Sequence, residues 1–65
     1  MKLVLNGEPR EVAAQTLADL VTELGYTDMP VATAKNGTVV RKKDRDATAI
    51  SDGDVVEVLV PMHGG

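Results

Sequence analysis

The sequence contains no cysteine, no tryptophan and no phenylalanine, and only one tyrosine and one histidine among 65 residues. Each gap removes a possibility. Without cysteine there is no disulfide, no side-chain thiol for covalent chemistry and no thiolate metal site. The lone histidine, His63, does not assemble a metal centre by itself, so no metal is expected. With Tyr26 as the sole aromatic, the core has to be built from Val, Leu, Ile, Ala and Met. Positive charge is also short. Seven Lys and Arg against ten Asp and Glu give a formal net charge of −3, which argues against nucleic acid as a partner because phosphate neutralisation needs clustered cations. The one basic run, Arg41 to Lys43, is offset at once by Asp44 and Asp46 and reads as a solvated loop. Long apolar runs, a signal peptide and lipidation motifs are missing, so no membrane association is expected and the location is read as cytoplasmic.

What is present suits a single small domain. A chain of this size hides only about 60% of the surface it exposes when unfolded, so its stability is modest. "KLVLNGEPREV" reads as two short strands around Asn6-Gly7, a pair that tolerates the positive φ of a tight hairpin. Pro9 fits an edge position, where its missing N–H does no harm. Leu3, Leu5 and Val12 are expected on the core side. "TLADLVTELG" is the clearest helix, with Leu17, Leu20, Val21 and Leu24 forming one apolar stripe. Thr16 can cap it, Asp19 favours its positive end, Gly25 can terminate it, and Glu23 sits on the solvated face. "PVATAKNGTVV" repeats the strand, Asn-Gly, strand signal, with Lys35 expected to point outward. "RKKDRDATAI" reads as a charged loop with at most one helical turn. "SDGD" is a turn, and its aspartates read as surface charges. "VVEVLVPM" is the last and most apolar strand, suited to the centre of a sheet. Val56, Val58 and Val60 share one of its faces; Val55, Glu57 and Leu59 share the other.

The order is β-β-α-β-β-β, an α+β chain whose one helix covers one face of a mixed sheet of about five strands. The opposite face is left partly open, and Leu59 and Glu57 upon it are the expected partner-docking residues. Residues 1–60 are assigned to the domain and 61–65 to a flexible C-terminal tail. An enzyme is not expected. No nucleophile–His–acid set, phosphate-cradling glycine loop or metal cluster is present, and the scaffold has no room for a deep pocket.

The final residues, "PMHGG", together with "LNGE" after the first strand, "VATAKNG" in the middle and "DGDVVEVL" entering the last strand, resemble the β-grasp, ubiquitin-like sulfur carriers. Among these the pattern is most similar to the ThiS family of thiamine biosynthesis. That resemblance implies a carrier that is a cosubstrate and binds no cofactor itself. An E1-like adenylyltransferase of the ThiF type would use ATP to adenylate the carboxylate of Gly65. A persulfide-bearing enzyme would supply sulfur to make a thiocarboxylate, and a thiazole synthase of the ThiG type would consume it. Carriers for molybdopterin, cysteine synthesis or tRNA thiolation share such a tail, as does a ubiquitin-like modifier, so these stay open as alternatives.

The chemistry of the tail agrees with that reading. The α-carboxylate of Gly65 has a reference pKa of roughly 3.5, so it is ionised at neutral pH and needs activation before acyl transfer. Residues 61–65 fully extended span about 16 Å, enough to thread Met62, His63, Gly64 and Gly65 toward a buried centre. Glycine lets the backbone approach closely there. Pro61 limits further strand pairing where the tail leaves the sheet, and His63 reads as a solvated tail residue.

Overall fold

Two Asn-Gly turns set the geometry of this protein, whose computed structural model describes residues 1–61. Asn6 and Asn36 each sit at φ 50°, followed by Gly7 and Gly37 at φ 85°. Two successive residues with positive φ match the twist of a tight hairpin, and only Gly and a few polar residues adopt it without strain. The first turn joins β1 (Lys2–Leu5) to β2 (Glu8–Glu11), and the second joins β3 (Ala32–Lys35) to β4 (Thr38–Val40). Both pairs are antiparallel.

Between the hairpins lies α1 (Leu17–Glu23). Three of the donors at its start find partners: Leu17 N–H donates to Thr48 O, Ala18 N–H to Arg45 O, and Asp19 N–H to the Thr16 hydroxyl at 3.1 Å. These are the groups that a helix N-terminus cannot satisfy internally. Leu17 and Leu20 are fully buried, Val21 is buried, and Leu24 packs against the same cluster. Gly25 (φ 84°) ends the helix as read from the sequence.

The last strand, β5 (Val55–Leu59), lies at the centre of the sheet, in the order β2-β1-β5-β3-β4. It runs parallel to β1 and antiparallel to β3. Its burial alternates strictly, with Val56 and Val58 in the core and Val55, Glu57 and Leu59 exposed. The helix and the inward residues Leu3, Leu5, Val12, Val31 and Ile50 complete one core. Pro9 stands in the edge strand β2, opposite Val4.

Four expectations need correction. Methionine does not build the described core: Met1 and Met29 are 36% and 43% exposed, and aliphatic residues suffice. Lys35 does not point away from the helix side. It pairs with Val56 and therefore shares its face, but it sits where the ammonium can escape to Ala49 O at 2.7 Å and Asp54 at 3.6 Å. Glu23 is not merely solvated, since one carboxylate oxygen accepts from the N–H groups of both Ala13 and Ala14 at 3.0 and 2.9 Å. Arg45, read as part of a charged loop that holds a 3₁₀ turn at Lys42–Asp44, is buried.

Asp54 is likewise more than a surface charge. Its carboxylate accepts from Ser51 N–H at 2.8 Å and from the Asn36 amide at 3.2 Å. The Ser51 bond, then Asn36 and Lys35, hold its pKa below the usual carboxylate range, with burial opposing them. A folded-state pKa below the unfolded value means that its stabilisation is complete above about pH 4 and is lost as pH falls through the lowered value. Asp54→Asn is therefore expected to cost about 1 kcal/mol at neutral pH and to flatten the acid limb of a stability–pH curve. An acid limb identical to wild type would refute this role.

Candidate functional site

The C-terminal half of β5 leads into the tail, and the sheet holds it from both sides. On one side Ala32 pairs with Leu59 and Thr33 with Val58. On the other, β1 ends at Leu5, yet the pairing continues through a side chain. The Asn6 amide donates to Val58 O at 3.1 Å, and Val58 N–H donates to Asn6 Oδ1 at 2.9 Å. At the opposite end of β5 Asn36 makes half of such a clamp: Val55 N–H donates to its Oδ1 at 2.8 Å, while its own amide donates to Asp54 at 3.2 Å. Each turn asparagine thus has two tasks, positive φ and a carboxamide that extends the sheet. Asparagine suits this where aspartate does not, because it carries a donor and an acceptor together. Sequence reading found the turns and missed the clamps. The available signal was the choice of Asn, rather than Asp, at both positions.

The face turned away from the helix carries the sequence-predicted docking residues. Leu59 is 60% exposed and Val39 is 76% exposed. Register places Glu57, Ala34 and Val39 in one row across the sheet and Leu59 beside Ala32 in the next. Together they line a shallow depression of about 160 Å³. Val55, at 45% exposure, extends the same face toward β1. The structure therefore brings Leu59 and Glu57 together with Val39, a residue the sequence reading did not single out. Large apolar side chains on an uncovered sheet face, with a carboxylate among them, form the kind of surface that partners cover.

The other four predicted site residues, Met62, His63, Gly64 and Gly65, lie outside the described residues, as does all but the first residue of the tail assigned to 61–65. Among the described residues, no group of three or more His, Cys, Asp or Glu could hold a metal ion. No helix among them is long and apolar enough to cross a membrane.

Comparison with known proteins converges on one group. The ThiS family model matches residues 3–65. The sulfur carrier protein ThiS of Thermus thermophilus is 38% identical over 61 residues, covering 94% of this chain and 95% of that protein. A thiazole synthase of Paramagnetospirillum magneticum is 39% identical over all of this chain, which spans only 20% of that protein's length. The crystal structure of the thiamine biosynthesis protein ThiS from Geobacter metallireducens superposes over the whole of both chains with a TM-score of 0.80 at 36% identity. That structure and this one share the mixed five-stranded sheet with one helix of the β-grasp fold.

Proposed function

We infer, from the premise that this chain belongs to the ThiS family, that it is a sulfur carrier protein of thiamine biosynthesis whose sulfur rides on Gly65. The observation that carries this reading is the near end-to-end match to a ThiS sulfur carrier, with a family match that runs through the terminal glycine. The carrier acts as a cosubstrate and the catalysis belongs to its partners. An E1-like adenylyltransferase joins the Gly65 carboxylate to the α-phosphate of ATP, and pyrophosphate leaves. The terminal sulfur of a persulfide-bearing enzyme then attacks the acyl carbon, so that a C–S bond forms as the C–O bond to AMP breaks, and a second thiol cleaves the remaining S–S bond by forming a disulfide with the enzyme's sulfur. The resulting thiocarboxylate is the donor to a thiazole synthase. Two thiazole synthases that contain a stretch 36–39% identical to this whole chain support that partner.

The chain's own part is positional. Central placement of β5, bonded to Asn6 and Asn36, supports a firm anchor for the tail that the partner's centre is to receive. The uncovered face around Leu59 and Glu57 supports docking of the adenylyltransferase beside that root.

One experiment tests both statements. Incubation with the adenylyltransferase, ATP and a sulfur donor is expected to add about 16 Da, one oxygen replaced by sulfur on an otherwise ionised carboxylate. No mass change with an active enzyme would remove the sulfur-carrier reading. Leu59→Asp is expected to slow this conversion at limiting enzyme with little loss of stability, because the side chain is already 60% exposed. Unaltered conversion by that variant would remove the open face as the docking site.

A further inference from the structure

Arg45 is a cation in an unusual place. The residue is 8% exposed, its Nε donates to the Thr33 hydroxyl at 3.0 Å, and one of its terminal nitrogens donates to Val31 O. Both acceptors are neutral. Among the described residues no carboxylate lies within ion-pair distance of it. A guanidinium has five N–H donors, and these two bonds leave three. No buried side-chain nitrogen or oxygen among the described residues lacks a partner, so the remaining guanidinium edge is reached from outside. With no carboxylate beside it among the described residues, this charge is open to neutralisation by a group that arrives from solvent.

Two clefts adjoin Arg45. The larger, about 450 Å³, runs along Asp28, Met29, Pro30 and Val31, and the smaller, about 180 Å³, along Ala18, Thr22 and Asp46. They share three residues, each a donor: the Thr27 hydroxyl, the Lys42 ammonium and the Arg45 guanidinium. We propose that this junction receives a single carboxylate side chain from an extended segment of the enzyme that activates Gly65, a proposal that rests on the sulfur-carrier reading.

Charge and position both select that occupant. A planar guanidinium edge matches a carboxylate in two parallel hydrogen bonds. The Asp28 and Asp46 walls repel a multiply charged phosphate more strongly than a single carboxylate. Met29, 43% exposed, and Pro30 offer an apolar strip for the residues flanking that carboxylate. Val31 immediately precedes Ala32, which pairs with Leu59, so the larger cleft opens at the end of the sheet where β5 hands over to the tail. This end adjoins Leu59, the contact proposed above for the same enzyme.

The test uses the full chain, labelled with ¹⁵N and titrated with N-acetylglutamate amide and, separately, with inorganic phosphate. The carboxylate probe should give saturable shifts at the amides of Thr27, Lys42 and Arg45 that disappear in Lys42→Glu, an exposed and foldable substitution. In the adenylation assay Lys42→Glu should lower kcat/KM about tenfold, equivalent to roughly 1.4 kcal/mol, and the loss should be carried by KM. Arg10→Glu, the same charge change on the far edge strand β2, should leave KM as it was. No saturable carboxylate shift, or phosphate moving the same amides at lower concentration, would overturn the proposal. Normal adenylation with an unchanged KM in Lys42→Glu overturns the docking site alone. A wild-type chain that is not adenylated at all removes the sulfur-carrier reading and this partner with it.

Discussion

Gly65→Ala, or a single residue appended after Gly65, is expected to lower adenylation by about 100-fold or more while the melting curve stays that of wild type. The two variants fail for different physical reasons. An appended residue moves the only carboxylate at the tip one residue beyond the point the enzyme reaches, and the former acid becomes an amide that cannot attack ATP. Alanine keeps the acid but adds a Cβ beside the reacting carbon, where a threaded glycine lets the partner's walls close in. Neither change alters a residue of the described core cluster or any described residue packed against it, so the fold is expected to stand. ATP–pyrophosphate exchange measured beside thermal melting separates the two effects. Normal exchange by both variants would defeat the proposed mechanism, whereas a lowered melting temperature would assign the tail a structural role instead.

The second large effect is expected in the core. Leu20 is 0% exposed and lies on the helix stripe facing the sheet. Removing most of a buried leucine costs about 2–5 kcal/mol, since the lost burial is joined by a cavity that neighbours only partly fill. A domain of this length holds roughly 3–10 kcal/mol in total, at about 0.05–0.15 kcal/mol per residue. Leu20→Ala should therefore remove a large part of that stability, visible as a lowered midpoint in denaturant titration followed by circular dichroism. Val55→Ala, on the uncovered face, should change stability by only about 0.5 kcal/mol. A loss below about 1 kcal/mol at Leu20 would mean that this core collapses around the gap far better than typical cores do.

Such a contrast follows from patterns visible without any structure. Period-two alternation in "VVEVL" assigned Val56 and Val58 inward and Leu59 outward, and the structure places them so. The helix stripe, its Thr16 cap and both Asn-Gly turns were equally legible. Each of these is a local property: a turn needs only its own φ values, a cap only the next three residues, an amphipathic stripe only its period. The candidate site was half legible. Leu59 and Glu57 followed from alternation, but Val39 joined them only through the β3–β4 and β3–β5 registers.

What escaped the sequence reading were the destinations of polar side chains. Asn6 and Val58 are 52 residues apart, and the bonds between them exist because β1 and β5 lie side by side in parallel. Glu23 reaches the Ala13 and Ala14 amides across 10 and 9 residues, and Arg45 reaches Thr33 across 12. No periodicity encodes such pairings, because a long polar side chain satisfies its donors and acceptors wherever the chain brings a counterpart. The sequence by itself thus determined the elements, the buried faces of β1, α1 and β5 and the family signature of the tail. Only the tertiary structure decided that Asn6 and Asn36 bond to β5 and that Arg45 is buried against Thr33 and Val31. The division is physical: hydrophobic period and backbone dihedrals are set residue by residue, whereas a hydrogen-bond partner is set by which strands become neighbours.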